Sequence, residues 1–289
     1  MAKTRTSSLR NRRQLKPAVA ATADDDKDGV FMVLLSCFKI FVCFAFTVVL
    51  ITAVAWGLIM VLLLPWPYMR IRLGNLYGHI IGGLVIWIYG IPIKIQGSEH
   101  TKKRAIFTYI SNHASPIDAF FVMWLAPIGT VGVAKKEVIW YPLLGQLYTL
   151  AHHIRIDRSN PAAAIQSFTM KEAVRVITEK NLSLIMFPEG TRSGDGRLLP
   201  FKKGFVHLAL QSHLPIVPMI LTGTHLAWFT RKGTFRVRPV PITVKYLPPI
   251  NTDDWTVDKI DDYVKMIHDI YVRNLPASQK PLGSTNRSK

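Results

Sequence analysis

Hydrophobic and polar positions divide the chain into a bare apolar part and a mixed part. Residues 40–64 form a run of 25 residues without a charge, long enough for a helix to cross the about 30 Å hydrocarbon core of a bilayer. A second apolar stretch, 76–93, contains His79 and several glycines and is borderline for a span. From Lys94 onward the pattern changes, and short β-rich runs alternate with helical ones. The spacing predicts strands at 105–111, 154–156, 182–187, 216–221 and 241–246. It predicts helices at 115–125, 161–179, 205–212 and 257–274. Strands alternating with helices predict an α/β domain layered around one sheet, preceded by a membrane helical hairpin.

The expected organisation is therefore a polar, disordered tail over 1–29, membrane-anchoring segments over 30–93, a catalytic or binding domain over 94–276, and a loose tail over 277–289. The hairpin follows from charge. Arg70 and Arg72 lie between the two apolar stretches, and a basic N-terminal tail (Lys3, Arg5, Arg10, Arg12, Arg13, Lys16) precedes them. The positive-inside rule disfavours leaving those arginines across the membrane. A pair that returns to the starting face satisfies the rule and leaves the α/β domain on that same side. One irregularity crosses all segments. Phe-Thr recurs at 46–47, 107–108, 168–169 and 229–230, a constant interval of 61 residues. Nothing else repeats at that period, so it marks no structural repeat, and the four pairs read as insertions foreign to the surrounding pattern.

Composition sharpens the choice of partner. Lys and Arg total 36 against 18 Asp and Glu, a formal net charge of +18. An excess of that size calls for an anionic partner, and the apolar run favours an acidic membrane surface or a phosphorylated substrate over nucleic acid. The basic residues are scattered and carry no nucleic-acid recognition motif. Both cysteines, Cys37 and Cys43, lie in or beside the apolar run, so no disulfide framework is expected.

Several chemistries are unsupported. The chain has no G-x-S-x-G elbow, no H-E-x-x-H, no Walker A loop and no cysteine in the mixed part. An acyl-enzyme on Ser or Cys is unsupported, and no metal site or cofactor is expected. The candidate general base is His113, in Ser111-Asn112-His113-Ala114-Ser115-Pro116-Ile117-Asp118. The ordinary histidine pKa lies near neutral pH, and Asp118 could fix its tautomer and stabilise its charged form. The spacing alone is weak, because His152 and Asp157 repeat it. Context separates the pairs. Ser115 fits an N-cap, Pro116 the first helical position and Asp118 the third, so a turn can fold Asp118 back toward His113. The plain alternative is that Ser-x-x-Asp is only a capping box.

A second constellation, Phe187-Pro188-Glu189-Gly190-Thr191-Arg192-Ser193, follows an apolar strand and so sits where α/β ligand sites collect. Gly190 permits close backbone approach. Arg192 offers a planar fork suited to phosphate. Lys202 and Lys203 follow, and Arg155 and Arg158 flank Asp157. These basic residues lie in three loops of one sheet edge and could converge on a phosphate; solvated surface positions are the alternative.

At these residues the chain resembles the glycerolipid acyltransferase family, and within it the lysophosphatidate acyltransferases of the seed type in plants. Four blocks carry the resemblance: Asn112-His113 through Asp118; Gly145 through Ile154-Arg155-Ile156-Asp157-Arg158; Phe187 through Ser193; and the Ile216-Val217-Pro218 strand. It implies acyl-coenzyme A as donor and co-substrate, lysophosphatidate as acceptor and phosphatidate as product. His113 would be the base and Asp118 its partner. Arg192, with Arg155 or Arg158, would hold the acceptor phosphate, and Glu189, Gly190, Thr191 and Lys202 would belong to the acceptor site. The expected setting is the endoplasmic reticulum membrane, with the active site facing the cytosol. The rival readings are transfer to another lysophospholipid or to glycerol 3-phosphate, and a non-catalytic membrane-anchored protein that binds anionic lipid.

Overall fold

The computed structural model describes residues 20–101, 106–156, 168–228 and 237–282. The chain divides into two units at Thr52/Ala53. The first contains most of helix α1 (Ala20–Leu62), which begins inside the segment expected as a tail. Between residues 29 and 52 no side chain is buried, although Phe31, Leu34, Ile40, Phe44 and Phe46 are all large and apolar. Ser36, Thr47 and Thr52 donate their hydroxyls to the carbonyls of Met32, Cys43 and Val48. An apolar helix with its hydroxyls satisfied internally is matched to hydrocarbon rather than water. Among the described residues, two helices are long and apolar enough to cross a membrane, over Gly29–Leu62 and Pro67–Ile88.

The second unit begins with the last turns of α1. Leu63, Leu64, Pro65 and Trp66 link them to α2 (Pro67–Ile88), whose first residue is proline. Proline ends one helix and starts the next, because it lacks an N–H and presets φ. Trp56 of α1 stacks on Tyr77 of α2 at 5.4 Å. The opposite side of α2 packs on α3 (Ile117–Leu125). Gly82 makes this possible: a Cβ there would lie 2.6 Å from the Phe120 carbonyl oxygen and 2.9 Å from the Trp124 nitrogen. No side chain fits, so the two backbones meet directly.

Among the described residues seven strands follow: β1 (Ile93–Gln96), β2 (Thr108–Ser111), β3 (Thr130–Lys135), β4 (Ile154–Ile156), β5 (Ser183–Met186), β6 (Ile216–Thr222) and β7 (Ile242–Tyr246). Their order in the sheet is β1-β7-β6-β2-β5-β3-β4. The block β6-β2-β5-β3-β4 is parallel throughout. At its β6 edge β7 adds antiparallel, and β1 lies parallel to β7. Alternation along each strand feeds two cores. Ile110, Leu184, Met186, Ile216 and Ile220 meet α5 (Phe168–Glu179), α6 (Gly204–Ser212) and α8 (Ile260–Asn274) through Val174, Ile177, Phe205, Val206, Leu208 and Tyr271. Tyr109, Ile185, Val217, Met219 and Val244 meet α3 and α2 through Ile117, Phe121 and Ile86. This is the expected α/β layering around one sheet, and the structure shows helices on both of its faces. The predicted helix at 161–179 is described from Phe168 on; its first turns lie outside the described residues.

Two expectations need correction. Residues 277–280 are not loose. Gln279 is 1% exposed, accepts from the Gly223 N–H at 3.0 Å through Oε1, and its own carbonyl accepts from the Leu198 N–H at 2.8 Å. Strands β1 and β3 were also not anticipated. Of the Phe-Thr pairs, Phe107 and Thr108 are both buried, with Thr108 in register with Leu184 and Ile216. The Thr108 hydroxyl has no partner among the described residues. The pair at 229–230 lies outside them.

Candidate active site

The central strand β2 ends at Ser111, and its neighbours β5 and β6 end at the same sheet edge. Asn112 extends the ladder with its side chain: it donates to the Leu221 carbonyl at 2.9 Å and accepts from the Leu221 N–H at 2.8 Å. The next residue, His113, is thereby held at a fixed height above the sheet. From the other face the Tyr271 hydroxyl donates to the Ile110 carbonyl.

The turn from β2 into α3 brings Asp118 back to His113. His113 Nδ1 lies 2.9 Å from Asp118 Oδ2, and the same oxygen accepts the Ala114 and Ser115 N–H groups, each at 2.7 Å. An oxygen that accepts two backbone donors is fixed as an acceptor, so the Nδ1 proton points at Asp118 and Nε2 is left as the basic nitrogen. Asp118 is fully buried, whereas the His113 side chain is 17% exposed. The aspartate thus performs both roles weighed from the sequence: it serves the helix N-terminus and it orients the imidazole. Ser115 Oγ accepts the Ile117 N–H at 3.4 Å in the first turn of α3, while its hydroxyl donates to the Trp228 carbonyl at 2.8 Å. The Phe187 ring stacks on the imidazole, with centroids 4.0 Å apart and planes at 15°.

The loop after β5 holds the same residue by its backbone. Glu189 Oε1 accepts the His113 N–H at 2.6 Å, and Oε2 accepts the Leu199 N–H at 3.0 Å. In return the His113 carbonyl accepts the Ser193 N–H at 3.0 Å. Burial pushes the Glu189 carboxyl up to about 8; the two N–H donors pull it back in part, and the nearby Asp118 charge adds to the rise. Glu189 is therefore a bracket between the two loops. Gly190 closes the turn, with its N–H donating to the Phe187 carbonyl and φ at 72°, in the left-handed region that glycine tolerates.

The expected phosphate ligands separate in space. Thr191 and Arg192 are exposed on the Glu189 loop. Lys202 is exposed as well, and its backbone N–H donates to the Pro188 carbonyl at 2.8 Å, which ties it to the same loop. Arg155 is exposed on β4, three strands from β2 in the order β2-β5-β3-β4. At strand spacing that is about 14 Å, so the structure does not bring Arg155 beside His113. Arg158 and Asp157 lie outside the described residues. The Lys203 ammonium pairs with Asp261 at 2.7 Å. Phe187 and Ser193 contact His113 directly and Asn112 fixes the backbone beside it, yet sequence reasoning gave them no individual role; their only signal was a place inside the two blocks. His225 was also missed. It stands on the short helix α7 (Thr224–Ala227) after β6, under the electrostatic influence of Asp118, and burial depresses its pKa.

A family model described as Acyltransferase matches residues 92–222. The chain is 96% identical over 288 residues to a 1-acyl-sn-glycerol-3-phosphate acyltransferase of Limnanthes douglasii, covering 100% of both chains. It is 62% identical over 269 residues to the protein of that name from Cocos nucifera, covering 92% of this chain and 85% of the other. The crystal structure of the 1-acyl-sn-glycerophosphate (LPA) acyltransferase PlsC from Thermotoga maritima superposes with a TM-score of 0.56 at 20% identity, covering 78% of this chain and 96% of that one. That likeness carries the fold. Identity sustained from end to end carries more: the chain belongs to the 1-acyl-sn-glycerol-3-phosphate acyltransferases.

Proposed function

We propose that the protein transfers a fatty acyl group from acyl-coenzyme A to the sn-2 hydroxyl of 1-acylglycerol 3-phosphate, giving phosphatidate. The observation that carries this reading is an imidazole whose Nδ1 is held by a buried carboxylate at 2.9 Å, with no free nucleophile beside it among the described residues. Both cysteines sit in α1, the Ser115 and Ser111 hydroxyls donate to backbone carbonyls, and Ser193 Oγ is buried. The acceptor must then supply its own oxygen. His113 Nε2 takes the hydroxyl proton as that oxygen attacks the thioester carbonyl. The new C–O bond forms, the C–S bond breaks, and the imidazolium returns its proton to the departing thiolate. Arg192, on the loop that Glu189 ties to His113, binds the acceptor phosphate. The two apolar helices hold the domain to the endoplasmic reticulum membrane, whose lipids surround α1, and the active site faces cytosolic coenzyme A.

The test is an assay of membranes containing the protein, with a panel of acceptors and acyl thioesters. Lysophosphatidate with acyl-coenzyme A should give phosphatidate faster than any other lysophospholipid or glycerol 3-phosphate is acylated. His113→Ala should abolish turnover without loss of the protein from the membrane. Equal rates on several acceptors, or near-normal turnover by His113→Ala, would overturn the assignment.

A further inference from the structure

The five-residue 3-10 turn Lys136–Trp140 connects β3 to α4 (Leu144–Leu150), leaving β3 at the sheet edge that carries His113, two strands away from β2. Trp140 is 81% exposed and the following Tyr141 49% exposed. Two bare aromatic rings in sequence are an expensive surface to show to water. The turn is not slack. A Cβ on Gly145 would lie 2.2 Å from the Val138 carbonyl oxygen, the Gly145 N–H donates to the Tyr141 carbonyl at 2.8 Å, and Gln146 Nε2 donates to the Ile139 carbonyl at 2.9 Å. The Lys135 ammonium lies 5.6 Å from the Tyr141 ring centroid. The turn is thus clamped to the start of α4 with its rings outward.

Helix α4 is clamped in turn to the helical pair. Leu147 packs on Gly57 of α1, at 3.5 Å from a Cβ placed there. Ala151 packs on Gly74 of α2, where a Cβ would come within 2.7 Å. Arg70 of α2 donates to the Leu150 carbonyl at 2.9 Å. One short helix therefore bridges the aromatic turn to the stretch of α1 where Val54 and Leu58 are 50% and 64% exposed.

We propose that Trp140 and Tyr141 form a second membrane contact, seated in the headgroup zone of the bilayer that takes α1 and α2. The proposal rests on reading those helices as membrane-inserted. The chemistry of the turn fits that zone: amphipathic rings favour the interface, and Lys135 and Lys136 face anionic headgroups. The turn extends an apolar surface already committed to lipid, which selects a bilayer over a protein partner. A helical pair alone leaves the domain free to swing about its axis. A contact displaced from that axis fixes its tilt, and with it the approach of His113 to lipid-borne acceptor.

The test uses the full chain with Cys37→Ser and Cys43→Ser, which removes every cysteine. Trp140→Cys, Leu58→Cys and Asp253→Cys are then made singly and labelled with an environment-sensitive fluorophore. The proteins are reconstituted into vesicles of phosphatidylcholine with phosphatidylserine. The probe at 140 should shift to the blue and be quenched by brominated lipid, as at 58, while the probe at 253 stays accessible to aqueous iodide. A probe at 140 that behaves like 253, with 58 lipid-quenched, overturns the second contact and leaves the helices inserted. Aqueous behaviour at both 140 and 58 overturns the membrane reading and the proposal together. Independently, Trp140→Ala with Tyr141→Ala should retain the parent's turnover in detergent micelles and lose it on vesicles. An equal loss in both media would mark a merely structural role.

Discussion

Two substitutions at Asp118 separate its chemistry from its service to the backbone. In Asp118→Ala the Ala114 and Ser115 N–H groups lose the acceptor they share at 2.7 Å, and both residues are buried. Each orphaned donor costs about 1–3 kcal/mol, so the variant should lose about 2–6 kcal/mol. That is a large part of the roughly 5–15 kcal/mol by which a domain is ordinarily stable. Asp118→Asn can place its amide oxygen where Oδ2 stands and keep all three hydrogen bonds. It exchanges charge-assisted bonds for neutral ones and should lose only about 1–3 kcal/mol. What it cannot keep is the negative charge that stabilises the imidazolium, so turnover should fall about 10²- to 10⁴-fold. The assay is phosphatidate formed per mole of purified enzyme, read beside a thermal melt of the same sample. The reasoning fails if Asp118→Asn turns over like its parent. It fails equally if the two variants lose the same stability, which would mean the oxygen at that position holds nothing.

Arg192→Ala should raise KM for lysophosphatidate about tenfold or more, since a charge-assisted contact contributes about 1.5–3 kcal/mol; KM for the acyl thioester should barely move, and an effect confined to the donor would assign Arg192 to the coenzyme A site. Glu189 makes stability depend on pH. The folded protein keeps its carboxyl proton up to about 8, whereas the unfolded chain sheds it near 4.5, so stability should decline as pH rises across that window and level off above it. Denaturation at a series of pH values should show Glu189→Gln flattening that slope. Deleting Phe168 and Thr169 should raise activity per mole of membrane protein. Val174 and Ile177 are buried in the core, and the deletion brings Ile165, Met170, Val174 and Ile177 to spacings of 3, 4 and 3, one continuous helical stripe, where the pair otherwise turns the helix by about 200°. Unchanged or lower activity would show that the pair belongs to the helix.

What could be read from the chain depended on how far each interaction reaches along it. His113 and Asp118 are five residues apart on a strand-to-helix turn, so proline, a cap position and an acid in the first helical turn were enough to pair them. Glu189 is 76 residues from the N–H that it holds, and only the motif around it announced a site; its role as a bracket was invisible. Arg155 looked equivalent to Arg192 because both were read as basic residues at one sheet edge, and the strand order separates β4, which carries Arg155, from β2 and β5. Strand β1 is Ile-Lys-Ile-Gln, too short for a periodic signal, and its partner Ile242–Tyr246 lies at the other end of the domain. Gln279 sits in a polar stretch whose composition suits a tail, yet Gly223 and Leu198 converge on it. Whether Phe107 and Thr108 are foreign to the strand was not legible either way: two extra residues would preserve a strand's alternation, and the structure shows both buried, with the Thr108 hydroxyl unpartnered among the described residues.

The pairing of β1 with β7 sets an order of events during synthesis. The residues that leave α2 enter β1 at once, but β1 lacks the strand it pairs with until Ile242–Tyr246 has been made. At about 5–20 residues per second the ribosome needs of order ten seconds or more to cover that distance. Helices α1 and α2 are complete long before, and their apolar faces have a bilayer to enter during that interval. The membrane segments should therefore be embedded while the sheet is still an unfinished chain. The domain then assembles on an anchor already in place, and tethering at the membrane precedes, rather than follows, the appearance of an active site.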